Sequence, residues 1–79
     1  MKNPTMTPQN TDVLWHLENR DSISSAEAFA EYNITRLSAR IHDLRRMGYK
    51  IDGKTVTRKN ARGRTVHWTE YRLVGTPGG

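Results

Sequence analysis

The chain has no cysteine among its 79 residues. That excludes a disulfide framework and any thiolate metal site. It also lacks an apolar run approaching the roughly 18 residues of a membrane span. The N-terminal MKNPTMTPQN is polar and has no hydrophobic region, so it does not read as a secretory signal. The three histidines, His16, His42 and His67, fall on different predicted elements without paired spacing, so no metal site is expected. No glycine-rich phosphate loop follows a strand, and no Ser-His-Asp set can be assembled in a chain too short for an evident cleft. An enzyme is not expected, and no cofactor is implied.

What the chain does have is charge, unevenly placed. The formal net charge is +5, and the isoelectric point is near 10.1. Residues 1–34 carry two basic and five acidic side chains, whereas residues 35–79 carry eleven basic and three acidic. A basic half of this kind suits a polyanion. At this length one small domain is expected, with a core of marginal size.

The stretch from Ile34 to Gly48, ITRLSARIHDLRRMG, carries most information. Leu37, Ile41 and Leu44 recur at i, i+4 and i+7 as a core stripe. Thr35 reads as the helix cap and Gly48 as the left-handed terminator. Arg36, Arg40 and Asp43 share another face, with Ser38 and Ala39 beside them. A helix that packs its back on a small domain and offers such a front fits a major groove.

Upstream, Thr7-Pro8 starts a first helix over about 8–19, whose stripe is Val13, Leu14 and Leu17. Trp15 and His16 fall off that stripe, and Trp15 is expected to cover an edge of the core. Ile23 points inward from a short β-tolerant segment. Ser24 and Glu27 form a capping box for a second helix over about 25–32, with Ala26, Phe29 and Ala30 facing the core. Asn33 suits a left-handed turn. Two helices joined by so short a turn have helix-turn-helix spacing.

After Gly48 the period changes. Tyr49 to Thr57 alternates as a strand does, with Gly53-Lys54 as a turn or bulge. Arg58 to Arg64, RKNARGR, is a loop with four cations, and Thr65 to Val74 is the returning strand. The fold class expected is α+β: a winged helix-turn-helix of three helices, a short strand after the first, and a C-terminal β-hairpin wing. Residues 1–6 read as disordered, 7–74 as the domain and 75–79 as a flexible tail.

The segment SISSAEAFAEYNITRLSARIHDLRRMGYKI, followed by a basic hairpin and EYRL, resembles a family of small helix-turn-helix proteins common in phages and prophages. The resemblance runs from about Thr7 to Leu73. It implies a winged-helix fold and DNA binding, with no particular operator.

The expected site follows from these elements. Arg36, Ser38, Ala39, Arg40 and Asp43 are candidates for base readout, since Arg can take guanine bidentately and Asp can accept from cytosine. Asp43, three residues from Arg40, can also simply orient that arginine. Arg58, Lys59, Asn60, Arg62 and Arg64 are candidates for the DNA backbone or a narrow minor groove. Ser24, Ser25 and Thr35 can give hydroxyls to phosphates at helix starts, beside their capping role. Arg45, Arg46 and Lys50 are assigned to dipole complementation and solvation, with contact to a flanking phosphate as the alternative. Trp15 and Trp68 are candidate protein contacts, Trp68 lying on the strand face opposite Tyr71 and Leu73. The partner expected is double-stranded DNA in a bacterial host's cytoplasm and nucleoid, bound by a weak homodimer or a cooperative array. The competing readings are an adaptor that binds a host protein, and an RNA or single-strand binder. The latter is disfavoured because the wing has no aromatic between its cations.

Overall fold

Thr7 closes the first helix as its residue type predicts. In the computed structural model, which describes residues 6–78, its side chain accepts from the Asn10 backbone N–H at 3.1 Å. Pro8 occupies the first position of α1 (Pro8–Asn19). Residues 1–5 and 79 lie outside the described residues, and with them most of the segment expected to be disordered. A two-residue strand β1 (Ile23–Ser24) leads directly into α2 (Ser25–Tyr32). There the capping box forms in full: Ser24 Oγ accepts from the Glu27 N–H, and Glu27 accepts from the Ser24 N–H at 3.1 Å.

Two left-handed residues make the turns between elements. Asn33, at φ 57°, ends α2, and the next N–H, of Ile34, bonds back to the Ala28 carbonyl at 3.1 Å. Gly48, at φ 103°, ends α3 (Leu37–Arg46) with a Schellman pattern, Tyr49 N–H to Leu44 O and Gly48 N–H to Arg45 O. Thr35 does not cap α3. The helix begins after Arg36, and no side chain caps it. Ile34 and Leu37 are both fully buried, and driving both into the core sets the phase of the turn and leaves Thr35 exposed in it.

The strands β2 (Lys50–Lys59) and β3 (Thr65–Gly75) form the hairpin, and the antiparallel sheet has the order β1-β3-β2. Gly53 does not turn the chain. It sits within β2 opposite Tyr71, and a Cβ there would come within 3.2 Å of the Tyr71 ring. Its lack of a side chain makes room for that ring, not for a bend, and the register of the hairpin shifts instead between Lys50 and Ile51. The hairpin outruns the helices, giving the molecule a long axis of 46 Å against 25 Å across. At its other end, Gly75 closes β3 and Pro77 lies beside Gly48.

The core is Val13, Leu17, Ile23, Ala28, Ile34, Leu37, Ile41, Leu44 and Ile51, with Tyr71 and Leu73 packed against it from the sheet. Two expectations fail here. In α2 only Ala28 is buried; Ala26 and Ala30 face solvent and Phe29 is 56% exposed. An eight-residue helix with three alanines has no dominant apolar stripe, and packing chose the narrow Ala28 side. In α1, His16 is fully buried while Trp15 is 51% exposed. A histidine is tolerated inside because both its nitrogens are engaged, Nε2 with the Ser22 carbonyl at 3.0 Å and Nδ1 with the Tyr32 hydroxyl at 2.8 Å. A carbonyl only accepts, so Nε2 donates to Ser22, and in the neutral ring Nδ1 is then the acceptor for the Tyr32 hydroxyl.

Candidate nucleic-acid interface

Successive residues of α3 step round its axis by roughly 100°. With Leu37, Ile41 and Leu44 inward, Ala39 and Arg46 fall on the opposite side, His42 about 50° round from them, and Ser38 on the flank. Of these only Ala39 is half-buried; the others are exposed, as is Arg36 at the helix start. Arg36 and Arg46 form no ion pair among the described residues.

Arg40 and Asp43 lie round the helix toward α1 and are engaged there. Arg40 pairs with Asp43 at 3.2 Å, and the two side chains are only 26% and 25% exposed. Arg40 also donates to Gln9 Oε1 at 3.3 Å, and Asp43 accepts from the buried Asn10 side chain at 3.4 Å. The four residues clamp the start of α1 to the middle of α3. On the other flank, the Arg45 guanidinium donates to the Ile51 carbonyl through Nε at 3.1 Å and Nη2 at 2.6 Å, and lies 6.0 Å from the centroid of the Tyr71 ring. It ties the end of α3 to the sheet.

The wing tip is held by one side chain. Asn60 Oδ1 accepts from the backbone N–H of Arg62 at 3.0 Å and of Arg64 at 3.1 Å. The main chain closes the loop with Asn60 N–H to Arg64 O and Gly63 N–H to Asn60 O. Gly63, at φ 80°, supplies the left-handed step this needs. Arg58, Lys59, Arg62 and Arg64 are exposed and form no ion pair among the described residues.

Of the hydroxyl candidates, Ser24 is buried in its capping box, whereas Ser25 and Thr35 are exposed. Trp68 is half-buried, donates to Glu70 Oε2 at 3.1 Å, and lines a groove with the first turn of α2. His42 is the residue that motif reading passed over as a reader of bases, and Arg46 the one it gave to the helix dipole or a flanking phosphate. The helical phase could have raised both, since Arg46 lies diametrically opposite the stripe and His42 about 50° from that line. His16, Glu27 and Glu31 also approach one another, at 3.8 Å and 3.6 Å from the imidazole, but Ser22 and Tyr32 already occupy its nitrogens. The Tyr32 hydroxyl is pushed above its usual pKa by burial and then by the neighbouring Glu31, which keeps it a donor.

The three helices, the short first strand and the long basic hairpin are the parts of a winged helix-turn-helix domain. The family model of that description matches residues 8–75, and the chain belongs to this family. Membership suggests DNA binding. No curated protein and no solved structure matches the chain significantly.

Proposed function

We propose that the chain is a sequence-specific binder of double-stranded DNA, with no enzymatic activity or cofactor of its own. The observation that carries this is the contrast between used and unused cations. Arg40 and Arg45 are spent on the protein itself, whereas Arg36, Arg46 and the four wing cations stand exposed with no carboxylate partner among the described residues. Exposed cations without a carboxylate partner repel one another, and they release counterions on meeting phosphate.

In this reading α3 enters the major groove by its outer stripe. Arg46 and His42 join Arg36, Ser38 and Ala39 as base-reading side chains, while Arg40 and Asp43 hold the helix at its angle. The uncapped first turn of α3 leaves backbone N–H groups for a phosphate, with Thr35 just before it, and Ser25 offers its hydroxyl at the first turn of α2. The wing lies on the adjacent backbone or minor groove through Arg58, Lys59, Asn60, Arg62 and Arg64. A single winged helix covers little DNA, so tight binding calls for a homodimer or cooperative array. The role proposed is that of a phage or prophage transcription regulator, or an architectural factor in recombination or replication, working in the host cytoplasm at the nucleoid.

The test is an NMR titration of labelled protein with a random-sequence duplex at low and moderate salt. Salt-sensitive shifts concentrated at residues 36–46 and 58–64 are expected. No shifts at low salt would overturn the reading. A second reading, an adaptor for a host protein, draws on the exposure of Phe29 and Trp15. Loss of captured host protein on Phe29→Ala or Trp15→Ala, with DNA shifts absent, would favour it.

A further inference from the structure

The two edges of the sheet differ. β2 forms one edge and carries Lys50, Asp52, Lys54, Arg58 and Lys59, charges of the kind that guard a strand against unwanted pairing. The other edge is left largely to β3, because β1 covers only Glu70 and Tyr71. Residues 65–69 therefore have no strand on that side among the described residues. They read Thr-Val-His-Trp-Thr, without a formal charge, a proline or a glycine. The groove between Trp68 and the first turn of α2 lies along this edge, lined by Ser25, Ala26, Glu27, Trp68 and Glu70. A strand laid there needs an apolar side chain for Trp68 and a cation for Glu27 and Glu70.

The chain contains such a strand, with Arg64 two residues before Val66 and Val66 two before Trp68. We propose that a second copy of this chain pairs on this edge, β3 against β3 and antiparallel, with the two His67 residues facing across the two-fold axis. Val66 then lies opposite Trp68 of the second copy, and Thr65 opposite Thr69. The pairing runs over residues 65–69 and stops there, because Ser24 of β1 already lies opposite Glu70. The chain turns aside at Arg64, whose long side chain reaches toward Glu70 and Glu27 of the other copy. Such a contact is isologous, so it closes at two copies. The antiparallel direction sends the two basic tips apart, which keeps their like charges separated. Val66, 38% exposed in the single chain, and Trp68 are covered together. The outer stripe of α3 takes no part.

The absence of native cysteine makes the test clean. Facing residues of an antiparallel pair have Cα atoms about 4.5–5.5 Å apart, within disulfide reach. His67→Cys is compared with Thr55→Cys on the opposite edge under a glutathione redox buffer, without DNA. Disulfide-linked dimer is expected to form several-fold faster for His67→Cys. Sedimentation equilibrium of the unmodified chain is expected to show monomer and dimer, and Val66→Arg to shift it to monomer with an unchanged circular dichroism spectrum. Monomer alone up to millimolar concentration, equal or faster linkage of Thr55→Cys, or a dimer indifferent to Val66→Arg would each overturn the proposal. None of these readouts depends on DNA binding.

Discussion

The cations of α3 and those of the wing look alike in the sequence and are used differently in the fold. Arg40 is held by Asp43 and Gln9, and Arg45 by the Ile51 carbonyl. Arg58, Lys59, Arg62 and Arg64 project from a hairpin that leaves the body of the protein, with no acidic side chain bound to any of them among the described residues. A basic residue beside a core acts as a brace, because neighbouring carbonyls and carboxylates reach it before any ligand does. The same residue at the end of a lever remains available.

Each half of this contrast can be broken separately. Replacing all four wing cations by glutamine is expected to have the largest effect on DNA. The log–log salt dependence of affinity should flatten by about 0.9 for each phosphate that the wing no longer neutralises, while thermal stability stays within about 0.5 kcal/mol. Fluorescence anisotropy across a salt series checks it, and an unchanged slope would remove the wing from the interface. Arg46→Ala or His42→Ala should instead alter base preference, by about 1–3 kcal/mol at one position of a selected site. Arg40→Ala should cost about 1 kcal/mol of stability, read by denaturant unfolding, with the preferred site retained. A changed base preference in Arg40→Ala would return that residue to the reading face.

Two smaller effects sharpen the helical side. Ser24→Ala removes the α2 cap and should lower stability by about 1 kcal/mol. The raised pKa of Tyr32 means that its protonated form is favoured by folding. Its contribution is present below the unfolded value of about 10 and is lost as pH rises through the higher folded value. An alkaline unfolding series should show that loss, and Tyr32→Phe should lack it.

The sequence was most legible where a residue acts on its own backbone. Thr7-Pro8, the Ser24–Glu27 box, Asn33 and Gly48 each do what their chemistry dictates, and with the α3 stripe and the strand patterns on either side of the basic loop they give the winged-helix architecture. It was least legible where a side chain depends on distant partners. His16 is acceptable inside only because Tyr32 and the Ser22 carbonyl meet it, and the outward Phe29 follows from packing on Ala28. Thr35 has the right chemistry for a cap but is displaced by the need to bury Ile34 and Leu37. The site divides in the same way. The wing cations stand out by composition, whereas the engagement of Arg40 and Asp43 depends on Gln9 and Asn10, more than thirty positions away.

Asn60 separates the shape of the wing tip from its chemistry. One amide oxygen fixes the main chain at Arg62 and Arg64 without touching either guanidinium. Part of the ordering of that loop is therefore complete before any ligand arrives, and each arm swings from a fixed anchor. Positions 62 and 64 are thus free to vary in a lineage: an arginine there can become lysine, glutamine or serine and retune affinity, while the loop beneath keeps its form.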